Sequence, residues 1–144
     1  MEPSSSHAPV DFRTLRIICF ALLASVVLVN VVLTILYVTG DLPRTEVKKA
    51  MPLIFFSLAL ILLAASPAVK RALLKRSGAE HAPLDVSDRA GDYMSANIIA
   101  FAMREGAGLM GFVLSLLTGN PWWSWGLGAA AVIAMIVDWP KGRF

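Results

Sequence analysis

The chain has little of what enzymes commonly use. It has one cysteine, Cys19, and two histidines, His7 and His81. A single thiol closes no intrachain disulfide and supplies no cysteine-based metal site. The histidines lie far apart, both in polar segments, where an imidazole is ordinarily a solvated surface group. No P-loop, dinucleotide-binding glycine pattern or Gly-x-Ser-x-Gly elbow occurs, and no serine, histidine and acid come together as a triad. The expectation is a protein that is not an enzyme and carries no cofactor or metal. Charge is scarce too. Of 144 residues 16% are charged and 57% hydrophobic, where soluble domains carry roughly 25% charge. A short soluble fold of that composition leaves too much apolar surface in water, and a lipid bilayer removes the difficulty.

What is present is a series of long uncharged runs. Residues 17–40 contain no charge. A signal-peptide core is shorter, about 7–15 residues, and ends at a small-x-small cleavage site, so the first run reads as an uncleaved anchor. Cys19 follows Arg16-Ile17-Ile18 rather than the small residues of a lipoprotein site, and reads as a buried apolar side chain near the membrane edge. The expected architecture is all-α: a polytopic membrane protein with four transmembrane helices in an up-down bundle, one membrane domain over 1–144. A tail (1–16) precedes helix 1 (17–38), a loop (39–49), helix 2 (50–69), a second loop (70–92), helix 3 (93–118), a turn (119–121), helix 4 (122–137) and a tail (138–144). Helix 1, at 22 residues, spans about 33 Å. Pro52 falls in the first turn of helix 2, where a missing N–H costs little, and Pro67 should kink or stop it. Ser87, Asp88 or Asp92 offers an N-cap for helix 3. Gly119-Asn120-Pro121 makes a tight turn. Trp122, Trp123 and Trp125 at one end of helix 4 and Trp139 past the other form an aromatic belt.

The net charge of +3 would suggest nucleic acid in a soluble protein, but the cations flank apolar runs, so no nucleic-acid partner is expected. With the N-terminus inside, the cytoplasmic side holds Arg13, Arg16, Lys70, Arg71, Lys75, Arg76, Arg89, Lys141 and Arg143, and the outer side only Arg44, Lys48 and Lys49. The positive-inside rule therefore places both termini in the cytoplasm, in keeping with a multi-pass protein of the bacterial cytoplasmic membrane. The basic 70–76 segment has the chemistry to hold anionic lipid headgroups, although a solvated basic flank is the plainer reading.

One place within the membrane carries charge. Arg104 and Glu105 lie roughly 17–18 Å beyond Tyr93 along helix 3, close to the bilayer middle, where a charge costs about 2.5–3.5 kcal/mol on insertion scales. Adjacent residues point about 100° apart, so each is expected to find its partner on another helix, another subunit or in a wet cavity. Asn97, Arg104, Gly108, Gly111, Ser115 and Thr118 share one polar or small face. Gly126, Gly128, Ala129, Ala130 and Ala134 give helix 4 a similar surface, which suits close helix packing in lipid. Asn30, Thr34 and Tyr37 line a complementary stripe on helix 1, with Asn30 about 20 Å in, and Asn30 is expected to hydrogen-bond Arg104 or Glu105.

The segment from Ala102 through Arg104, Glu105, Gly106, Gly108 and Gly111 to Leu114 resembles the carboxylate-bearing helix of the rotary ATP synthase proteolipid, subunit c, on Ala102, Glu105 and Gly111. That resemblance implies an ion-binding role for Glu105. It covers residues 102–114 only, and helix 2 lacks the close-spaced glycines of that family's other helix. The segment through 116–121 also looks like small four-span bacterial membrane proteins. Two functions follow. The first is a structural or accessory subunit acting through helix packing, with Arg104 and Glu105 as a register clamp, partnered by the lipid bilayer and by other membrane subunits or copies of itself. The second is a proton- or ion-handling proteolipid or small transporter using Glu105.

Overall fold

The computed structural model describes residues 12–42, 50–76 and 87–140, with the side chains of these except at 12 and 87–90. Residues 1–11 and 141–144, the cations Arg44, Lys48, Lys49, Lys141 and Arg143, the histidines, and the side chains of Ser87, Asp88 and Arg89 lie outside the described residues. Within them the chain is all-helical: α1 (Phe12–Thr39), α2 (Ala50–Arg76), α3 (Ser87–Thr118) and α4 (Trp122–Val137). Three of these, α1, α2 and α3, are long and apolar enough to cross a membrane. At 16 residues, α4 is about 24 Å long, shorter than a hydrocarbon core of about 30 Å.

The helices run past the expected ends of the spans. α2 continues to Arg76 and α3 begins at Ser87, so part of the expected 70–92 loop is helical and Asp92 lies inside α3 rather than at its cap. Polarity marks where lipid ends, whereas a helix persists as long as its backbone bonds do. Pro67 does not stop α2 either. The proline ring removes the N–H that would have bonded the Leu63 carbonyl, and the Ser66 hydroxyl donates to that carbonyl at 3.2 Å instead. Where helices do end, local chemistry accounts for it. Gly40 (φ 79°) and Gly119 (φ 66°) take the left-handed conformation just past α1 and α3. The Asn120 side chain accepts the Trp122 N–H at 3.1 Å, closing the turn into α4.

The bundle is centred on α3, which packs against α2, α4 and α1, while the backbones of α1 and α2 do not approach each other closely. Nearly half (44%) of the apolar stretch of α3 is buried, against 17% for α1 and 11% for α2. Helices successive in the chain alternate in direction. Tyr37 late in α1 and Phe56 early in α2 meet Trp125 and Trp123 at the start of α4. Phe101 meets Trp139 beyond its end. The core has two parts: Leu15, Cys19, Val26, Phe101, Ala131 and Met135 toward the end where α1 begins and α4 finishes, and Ala59, Ala107, Leu114 and Leu127 toward the α3–α4 turn. The outward faces of α1 and α2 expose Phe20, Leu28, Ile35, Leu53 and Ile61, the surface that a bilayer covers.

Candidate functional site

Arg104 is 4% exposed and binds three groups on two other helices. Its Nε donates to Ser66 Oγ at 3.0 Å, Nη1 to the Ala134 carbonyl at 3.1 Å, and Nη2 to Asp138 Oδ2 at 2.8 Å. Asp138 Oδ1 accepts from Lys70 Nζ at 2.9 Å, and the guanidinium carbon lies 5.8 Å from the Phe101 ring centroid. Each partner has a local origin. Ser66 lies on the buried face of α2, where its oxygen donates to the Leu63 carbonyl freed by Pro67 and accepts from Arg104. Asp138 is the C-cap of α4, and Arg104 and Lys70 therefore sit at the negative end of that helix, where cations are stabilised. Burial raises the tendency of the Asp138 carboxyl to hold its proton, but hydrogen bonds from Lys70 and Arg104 and their charges outweigh it and hold the group below the usual carboxylate range.

Arg104 therefore does not end at mid-membrane. Helical side chains lean toward their own N-terminus, and the six-atom reach of Arg104 carries its charge toward the end of the bundle where α4 finishes and Lys70 sits. The α3–α4 turn explains the meeting: Arg104 lies 14 residues before Thr118 and Asp138 lies 16 after Trp122, so the two are nearly equidistant from the turn. Asp138, Lys70 and Ser66 are absent from the sequence-based expectation of the site. The usable signal was this register, which sets the only carboxylate near the end of α4 opposite Arg104.

Asn30 is elsewhere. Its Nδ2 donates to the Val26 carbonyl at 2.9 Å and its Oδ1 accepts the Ser124 hydroxyl at 2.9 Å, so the expected bond to Arg104 or Glu105 is not formed. Ser124 N–H in turn donates to Ser115 Oγ at 2.9 Å, and Trp125 Nε1 donates to Thr34 Oγ1 at 3.2 Å. These bonds tie α1, α3 and α4 together near the turn. Depth along a helix did not predict the partner because the direction in which Asn30 points decides it. Asn97 is fully buried; its Nδ2 bonds the Tyr93 carbonyl at 2.8 Å, and its Oδ1 has no partner among the described residues.

Glu105 shares none of this. It is half-buried and forms no hydrogen bond or ion pair with a described residue. One helical step turns it about 100° from Arg104, and Ala102 and Leu109, one turn to either side, are exposed.

The small residues divide in the same way. A Cβ on Gly111 would stand 2.8 Å from Leu127 Cβ and 2.9 Å from the Trp123 carbonyl, and one on Gly108 3.0 Å from Val26. One on Gly128 would collide with the Asn30 amide. Gly126, expected in the same packing face, has nothing within 4 Å and is exposed. Among the described residues no group of three or more His, Cys, Asp or Glu side chains gathers as a metal site.

Fold and site together define a helical membrane protein whose central helix holds one arginine inside the bundle and one carboxylate at its margin. No protein-family model, no curated protein and no solved structure matches the chain.

Proposed function

We propose that the protein is a structural or accessory subunit of a membrane assembly, joined to another chain along the margin of α3. The observation that carries this reading is Glu105. Its carboxylate lies on a membrane-crossing helix, about 20 Å from the turn end of α3, beside exposed apolar neighbours and without a partner among the described residues. A carboxylate facing lipid is costly, and a donor or cation from another chain removes that cost. Arg104, bonded to Asp138 and Ser66, leaves Glu105 for an outside partner while it holds α2, α3 and α4 in register. The basic bias of the chain supports an orientation with both termini in the cytoplasm, and suits a bacterial inner membrane.

A specific observation favours a second reading, an ion-handling proteolipid. The neighbouring arginine makes its ion pair with Asp138, so it does not clamp Glu105 as an ion pair would. Extraction of the protein from its own membrane in mild detergent distinguishes the two. The accessory role predicts other chains at fixed stoichiometry, lost in Glu105→Gln, and no reaction with a hydrophobic carbodiimide. A homogeneous homo-oligomer whose Glu105 is modified by that reagent overturns the accessory role in favour of ion handling.

A further inference from the structure

The ion-pair cluster has more hydrogen-bond donors than its own acceptors use. Arg104 engages three of the five N–H groups of a guanidinium and Lys70 one of the three of an ammonium. Both line a groove of about 360 Å³ between α2 and α4, together with Arg71 and Asp138. Three cations and one carboxylate leave two positive charges uncompensated. Arg71 is exposed and bonds no described residue. The same groove runs on to Leu63, an apolar wall one turn before Pro67 on the membrane-crossing α2. It thus has a cationic head at the end of the bundle and a greasy extension toward the bilayer.

We propose that this groove binds one anionic phospholipid, its phosphate held by Lys70 and Arg71 beside Arg104 and an acyl chain lying along Leu63. A phosphate matches the unfilled donors with several charge-assisted acceptors. A lipid with a net negative charge offsets the excess cation. A choline headgroup would bring a further cation against three already present, so the groove discriminates by headgroup charge. This inference requires only that the protein sits in a membrane, and is independent of what Glu105 binds.

The test uses the full chain in mild detergent, with lipid retention counted by native mass spectrometry against added phosphatidylglycerol, phosphatidylcholine of the same acyl chains, and inorganic phosphate. Arg71→Gln is the informative variant, because an exposed residue that bonds no described residue is expected to leave the fold intact. Lys75→Gln is its control, with the same charge change outside the groove. One phosphatidylglycerol per chain is expected, with phosphatidylcholine and Arg71→Gln each about tenfold weaker and Lys75→Gln within about twofold of the parent. Equal binding of the two lipids, or equal effects of the two variants, overturns the proposal. Displacement of the lipid by millimolar inorganic phosphate also overturns it, and assigns the groove to a soluble anion.

Discussion

Arg104 and Glu105 are consecutive on α3, yet the guanidinium is sealed inside the bundle with three partners while the carboxylate is half-buried and has none among the described residues. Gly128 and Gly126, two residues apart on α4, differ in the same way: one receives the Asn30 amide where a methyl would be, the other faces open space. The α3–α4 hairpin thus has an inner face on which Arg104, Gly111, Ser124 and Gly128 each meet a specific neighbour and an outer face on which Glu105 and Gly126 meet none among the described residues. What separates them is direction around the helix, about 100° per residue, and not depth in the membrane or residue type.

The largest expected effect breaks the inner side. Asp138→Ala leaves Arg104 buried without its counter-charge and should destabilise the bundle by about 3 kcal/mol, as the loss of one partner from a buried pair does. Reversible unfolding in mixed micelles measures it. Arg104→Met, which leaves Asp138 paired with Lys70, should cost about 1 kcal/mol or less by the same measurement, because an apolar side chain of similar size replaces the buried cation. The carboxyl of Asp138 is held below its ordinary range in the folded protein, so its contribution is present above the unfolded aspartate range and lost as pH falls through the lowered value. A parent protein whose stability did not fall on acidification relative to Asp138→Ala would contradict that.

A middle-sized effect compares the glycines. Gly111→Ala must push α3 and α4 apart against Leu127 and the Trp123 carbonyl, at about 1–3 kcal/mol. Gly126→Ala meets nothing, and should raise stability by up to about 1 kcal/mol through helix propensity alone. Equal values for the two would remove the distinction between the faces. The smallest expected effect is on Glu105. In the isolated chain, Glu105→Gln should change unfolding by less than about 0.5 kcal/mol, since it breaks no intrachain bond. A larger loss would mean that the carboxylate has a partner within the chain.

Much of the architecture was legible beforehand, and for a plain reason. Long uncharged runs bounded by Gly, Pro and basic residues mark the apolar helices, since lipid offers the backbone no other hydrogen-bond partner. The tight turn at Gly119-Asn120-Pro121 and the helix from Trp122 to Val137 are found where the residues place them. Helix ends beyond the lipid boundary were not legible, because Ser66 repairs what Pro67 removes and polar residues continue a helix as well as apolar ones. Arg104 stood out as a charge in an apolar run. Its partner did not, because Asp138 and Lys70 look like ordinary flanking charges until the hairpin register brings them together.

The sequence by itself determined that the chain forms apolar helices, three of them of membrane-crossing length, that the third and fourth join in a close hairpin, and that charge enters the third. Those properties depend on composition and spacing along one helix at a time. Only the tertiary structure decided that α3 is central, that α1 and α2 stay apart, that Arg104 belongs to Asp138 and Ser66, and that Asn30 belongs to Ser124. Each of those depends on the rotation of one helix against another, and a stripe of small and polar residues permits several rotations of nearly equal quality until side chains from all four helices are packed at once.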